Sequence, residues 1–300
     1  MAITLYNAKK WTKMLLGKSI MHVNQDEGKC YSVSEICGYY NNLTEKVTKA
    51  QPDEKIPTMV TQFGQKIYFP IAVFQFGLGA YDLYLIHNEN IYYEKFMACA
   101  EWAVQNQEEN GGWSNFFYIY PKAPYSAMAQ GEGISLLLRA YKETGNNIYW
   151  ERAKKALEFM IAPIENGGTA YYDGEDIYLM EYTHKSVVLN GWIFSVFGII
   201  DFLKIEPKNK EISEIYEKTI KTMIKSLGKF DCGYWSLYCA DGLICSPFYH
   251  RLHIAQLSVL HKLTGNEQFL EYKKKWSRYN DNKLYKTKAF IRKAIEKIKE

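Results

Sequence analysis

The sequence predicts an all-α-dominated fold: an incomplete α/α toroid of about four helix pairs, with short β-hairpins or extended loops on one rim. Three observations predict it. Four polar helix starts recur, HNENIYYEKF, TGNNIYWERA, NKEISEIYEK and TGNEQFLEYK, and aligning Ile91, Ile148, Ile212 and Phe269 gives steps of 57, 64 and 57 residues. Each start follows an apolar helix that ends in a polar turn. Three of the polar helices lead into a Gly-aromatic loop: NGGW at Asn110–Trp113, NGGTAYY at Asn166–Tyr172 and DCGYWSLY at Asp231–Tyr238. Periods of this length mark helix-pair repeats whose members stack to share one core.

Residues 1–65 read as an irregular arm packed on the body, and 66–300 as the toroid, a single folding unit. Thr58–Phe63 and Gln65–Phe69 read as strands or extended arms leading into the first inner helix. The inner helices are expected from Ile71 to Ile86, Ala127 to Tyr141, Val187 to Ile205 and Leu252 to Leu263. The third is apolar nearly all round, as a buried helix is; the second member of each pair carries charge on one face and belongs to an outer layer. The Asn and Thr-Gly-Asn signals between members are helix stops and N-caps. Glycine lets the chain turn sharply after an outer helix, and the aromatics that follow read as short extended pieces. The tail, Lys283 to Lys299, spaces Leu284, Phe290, Ile291, Ala294 and Ile298 among basic residues, the pattern of a terminal amphipathic helix docked on the body.

With 300 residues, 47% of them hydrophobic, the chain buries a sizeable core. The net charge of +4 is slight and sits mostly in the tail. A basic face of that kind attracts an acidic polymer; no basic–aromatic module for nucleic acid is present. None of the six cysteines lie in C-x-x-C pairs, which argues for reduced thiols and against a zinc site. The N-terminus has no apolar stretch of secretory length, and no run approaches about 20 apolar residues, so a cytoplasmic protein without a transmembrane segment is expected. Aromatic residues make up 16%, including 25 Tyr and 7 Trp. A low-GC coding bias gives such a number; so does a carbohydrate site, where aromatic faces pack on sugar C–H surfaces.

Three segments put polar groups where a buried helix calls for apolar ones. In YSAMAQGEGISLLLRAY, Ser126 is placed as an N-cap, and Gln130 and Glu132 sit among small residues that allow a close approach by a backbone or a ligand. In MEYTHKSVVLNGWIFS, capping accounts for Glu181 before the most apolar helix, but not for Tyr182 and His184; Asn190 needs hydrogen-bond partners within an apolar face. In FDCGYWSLYCADGLICSPFYHRLHIAQL, Tyr238 follows a Gly-aromatic loop, and Tyr249, His250 and His253 open the last inner helix. His250 and His253 share a helix face but lack a third ligand in register, so they read as hydrogen-bonding groups at a polar groove, and no metal is expected.

The ordered motifs FPIAVFQFGLGAYDL, NGGW, YSAMAQGEGISLLLRAY, EYTHKSVVLNGWIFSVFGIIDF, GYWSLY and YHRLHIAQL resemble the C-terminal domain of D-glucuronyl C5-epimerases, over roughly Tyr68 to Trp276. The resemblance implies an α/α toroid that converts D-glucuronic to L-iduronic acid within a polymer such as heparosan, with no cofactor. It implies functional tyrosines at Tyr182, Tyr238 and Tyr249 and a proton-transfer carboxylate at Glu181. Glu181 or Tyr182 would act on one face of C5 and Tyr249 on the other, with Tyr238 assisting. The family carries an arginine three residues beyond the position of Tyr238; this chain has Asp241 there, which leaves Arg251 or Lys185 to hold the substrate carboxylate. Asn190, His250, His253, Gln130, Glu132 and Trp113 complete the candidate substrate-binding set. An acidic, glucuronate-containing polysaccharide is the expected partner, and a homodimer is compatible with the chain. A uronate polysaccharide lyase and a non-catalytic glycan-binding module are the alternatives.

Overall fold

A computed structural model of the chain describes residues 23–61 and 63–299. The first 22 residues of the expected arm lie outside the described residues. After a short helix α1 (Thr44–Thr48) come four helical hairpins: α2 (Pro70–His87) with α3 (Asn90–Asn106), α4 (Ala127–Thr144) with α5 (Asn147–Ile161), α6 (Leu189–Ile205) with α7 (Lys210–Ser226), and α8 (Pro247–Thr264) with α9 (Glu267–Asp281). The first members pack side by side in the order α2, α4, α6, α8, so they form the inner layer of an incomplete α/α toroid. The tail forms α10 (Lys283–Lys299) beside α9. Two antiparallel hairpins complete the fold: β1 (Met59–Val60) with β2 (Lys66–Ile67), and β3 (Ala170–Asp173) with β4 (Asp176–Leu179).

Each aligned start lies in the first turn of its outer helix. Asn146, Asn209 and Asn266 cap three of these helices, their side chains accepting from the N–H groups of Ile148, Ile212 and Gln268. α8 begins five residues earlier than the apolar pattern indicates, because Ser246 accepts from the Tyr249 N–H and Pro247 occupies the first helical position. That extension makes Tyr249 and His250 helical. The inner layer is dense enough for α4 and α6 to meet backbone to backbone: a Cβ on Gly131 would lie 2.5 Å from Ser195 Cα, and one on Gly198 would lie 2.6 Å from the Gly131 carbonyl oxygen.

The described part of the arm crosses the C-terminal ends of all four inner helices. The Tyr39 N–H donates to Asp82 of α2 at 2.8 Å, Arg139 of α4 donates to the Gly38 carbonyl at 3.0 Å, and the Tyr40 hydroxyl donates to Asp201 of α6 at 2.6 Å. Lys262 of α8 pairs with Glu27. At the centre, Arg139 and Asp201 form a fully buried ion pair at 2.6 Å, and the guanidinium lies over the rings of Tyr39 and Tyr40. The arm thus closes one end of the lumen, and the inner helices begin at the other.

Removing the Asp201 carboxylate would leave the Arg139 charge buried and uncompensated. Asp201→Ala is expected to cost about 3–5 kcal/mol in urea unfolding; an unchanged midpoint would show that the arm is not anchored through this pair.

Candidate active site

Three segments meet where the inner helices begin. The chain leaving β4 is held by the Met180 N–H, which donates to the Thr169 carbonyl, and by the Met180 carbonyl, which accepts from the first N–H of α4 at Ala127, both at 2.9 Å. Met180 thereby does the work assigned to Ser126. Ser126 occupies the N-cap position, yet its hydroxyl makes no capping bond. Next comes Glu181, 5% exposed, with its carboxylate against Gly191 of α6, where any Cβ would collide with it. Only glycine admits the carboxylate at that place.

The three tyrosines surround Glu181. Tyr238 donates to Glu181 Oε1 at 3.3 Å, and its ring meets Tyr249 edge-on at 4.9 Å between centroids. Tyr182 lies close enough to Glu181 and Tyr238 for each to shift its proton affinity. Its ring stacks on Phe116 at 4.5 Å and faces the edge of Tyr120. Lys185 lies over both rings, 4.2 Å from the Tyr120 centroid and 4.6 Å from that of Tyr182, and donates to the Tyr120 hydroxyl at 2.6 Å.

Burial sets the protonation states. It pushes Glu181 up to about 7, against the hydrogen bonds from Tyr182 and Tyr238 and the charge of Lys185. Burial first, and the Glu181 charge second, raise Tyr182, Tyr238 and Tyr249 above the ordinary phenol value. Near neutral pH the cluster therefore holds three protonated phenols around one carboxyl group poised between its two forms, an arrangement able to donate and to accept a proton.

Below this cluster lies a second carboxyl group. Glu132 of α4 is fully buried, accepts from Gln75 of α2 at 2.7 Å, and is pushed up to about 8 by burial, against Gln75 and the buried Lys46. Sequence reasoning missed Gln75 and Lys46. Gln75 left a signal, a lone amide in the apolar run FPIAVFQFGL; Lys46, in LTEKVT, reads as an ordinary surface lysine. Buried oxygens of Gln130, Glu132, Glu181 and Asn190 have no hydrogen-bond partner among the described residues, the state expected of groups that meet a polar ligand.

Four expected site residues are not brought to the tyrosines. Trp113 is core: it is 1% exposed, packs on Phe74 and beside Gly133, and donates to the Ala103 carbonyl at 2.9 Å. His250 and His253 are fully buried and engage Ser236, two residues before Tyr238; burial depresses both to about 3, so they are neutral. Arg251 is exposed, and no hydrogen bond or ion pair ties it to the cluster. Of the two cations weighed for a carboxylate clamp, Lys185 is the one beside Tyr182. Among the described residues no group of His, Cys, Asp and Glu is arranged to hold a metal, and no helix is long and apolar enough to cross a membrane.

Residues 107–278 match the family described as "D-glucuronyl C5-epimerase C-terminus". The chain is 28% identical to the D-glucuronyl C5-epimerase of Caenorhabditis elegans, over 61% of this chain and 34% of that protein. It is 32% identical to an uncharacterized protein of Methanocaldococcus jannaschii, over 53% of each. It thus spans between a third and about half of these relatives' lengths. A solved structure named for UGL with dGlcA-Glc-Rha-Glc covers 73% of this chain at 12% identity, with a TM-score of 0.46, too slight a likeness to argue from.

The raised pKa of Glu181 is also a stability statement. The folded protein favours the protonated acid, so this contribution is fully present below about pH 4.5 and is lost as pH rises through about 7. Glu181→Gln removes the dependence. Its unfolding midpoint should gain on that of the native protein between pH 5 and pH 8, as followed by thermal melts. A constant difference across that range would place the carboxylate in water.

Proposed function

The chain belongs to the D-glucuronyl C5-epimerase family, and from that premise we propose that it inverts C5 of D-glucuronic acid residues within an acidic polysaccharide, giving L-iduronic acid. The observation that carries the reading is Glu181, held at a pKa of about 7 among three phenols that stay protonated.

The proton on C5 is only weakly acidic, because its removal next to a carboxylate leaves an enediolate dianion. Ionised Glu181 takes that proton, the C5–H electron pair passes into the carboxylate, and Tyr249 returns a proton to the opposite face. Solvent then returns a proton to the Tyr249 phenolate and takes the one held by Glu181, which restores both groups. Tyr238 lies between the two groups and holds Glu181 by its hydroxyl. Lys185 is the nearest cation for the substrate carboxylate, and stabilising the developing charge is the largest demand on the site. Tyr182, flanked by Phe116 and Tyr120, would wall the sugar ring with a stacked aromatic face.

In deuterated buffer with heparosan, the native protein should place deuterium at C5, as read by NMR. Tyr249→Phe and Glu181→Gln should abolish the incorporation, and kcat/KM should rise with pH through about 7 as Glu181 ionises. Unsaturated, ultraviolet-absorbing product would instead identify a lyase. Binding without exchange, across a panel of glucuronate polymers, would leave a glycan-binding module.

A further inference from the structure

We infer that His250 is a positioning residue that fixes the spacing of Tyr238 and Tyr249 by locking the strand-like segment carrying Tyr238 to the first turn of α8. His250 follows Tyr249 directly, and Ser236 lies two residues before Tyr238. Both donors of Ser236 converge on one atom: its N–H lies 3.2 Å and its hydroxyl 2.8 Å from His250 Nδ1. His250 Nε2 lies 3.1 Å from the Trp276 carbonyl of α9, and its ring stacks on Trp235 at 3.6 Å.

These contacts settle the proton positions. A carbonyl only accepts, so Nε2 carries the hydrogen; Nδ1 of the neutral ring then accepts, and the Ser236 hydroxyl donates to it. The Ser236 oxygen is left to accept from His253 Nδ1–H, 3.2 Å away. The result is a one-directional chain from His253 through Ser236 and His250 to the backbone of an outer helix, every member buried. It joins the two segments that deliver the tyrosines, at points one and two residues from them. Tyr238 has other ties: its N–H donates to the Leu243 carbonyl at 2.7 Å, and its carbonyl accepts from Leu189 at 3.2 Å. Those bonds fix Tyr238 against its own loop and α6. The Cys245 N–H, which donates to the Ser236 carbonyl at 3.1 Å, ties the segment to the residues just before α8; the His250 chain ties it to α8 itself, where Tyr249 resides.

The inference deepens the epimerase reading and rests on it for its kinetic consequence. The variants are His250→Leu, His250→Gln and Ser236→Ala, each assayed for kcat and KM with heparosan and each solved crystallographically. His250→Leu should widen the Tyr238–Tyr249 separation beyond 4.9 Å. A misplacement of about 1 Å should lower kcat about 100-fold, with KM held within about twofold. Glutamine, which keeps one accepting and one donating end, should restore most of both. Ser236→Ala should show a smaller loss in the same direction, and it decides the question if the leucine variant does not fold. Wild-type spacing and wild-type kcat in His250→Leu, or in Ser236→Ala where only that variant folds, would overturn the inference. If the native protein shows no exchange, the functional reading fails instead, and the crystallographic separation still decides the role of His250.

Discussion

The buried pair of Arg139 and Asp201 is the constraint on which the rest of the molecule depends. Two charges are taken out of water in the middle of the inner layer, and they are tolerable only because everything around them supplies polar partners. Arg139 also donates to the carbonyls of Ser135 and Gly38, and Asp201 receives the Tyr40 hydroxyl. The arm is therefore required by the toroid, since it completes the coordination of the pair. The helices in turn cannot slide past one another without breaking it. A floor pinned in this way lets the opposite rim carry groups that do not favour folding.

Those groups are the second half of the design. Glu181 and Glu132 are carboxyl groups buried at a cost in their charged forms, and the Glu181 charge adds to the effect of burial on Glu132. Gly191 makes room for one, and Gln75 holds the other. Evenly apolar packing would be more stable and chemically inert. The site keeps stability low locally in order to hold a carboxyl group near its point of half-ionisation.

Much of this was legible in the sequence. The four helix pairs follow from periodic apolar faces and asparagine caps, which are local signals that survive without tertiary context. Glu181, Tyr182, Tyr238 and Tyr249, which the structure gathers in one cluster, were singled out by motifs of recognisable order. Three kinds of feature were not legible. His250 and His253 were assigned to the groove although they are fully buried and engage Ser236 and the Trp276 carbonyl within the protein; in a first turn, successive residues point about 100° apart, so adjacency to Tyr249 says little about direction. Trp113 follows two glycines, and such a loop leaves the aim of the next side chain undetermined. Lys46 is polar, short-range in context and buried only by contacts distant in sequence.

The arm closes the lumen beneath the site, and this limits how a long molecule can approach. Among the described residues the arm spans the end of the inner layer opposite the candidate site, which disfavours threading a long molecule along the axis. Such a molecule would lie across the rim with both ends in solvent and present one unit at a time from its middle. A site of that kind has no means of sensing where a chain begins. If the proposed reaction holds, such a site would act on interior units at scattered positions, leaving and rebinding between events, unless a surface flanking the rim kept hold of the chain.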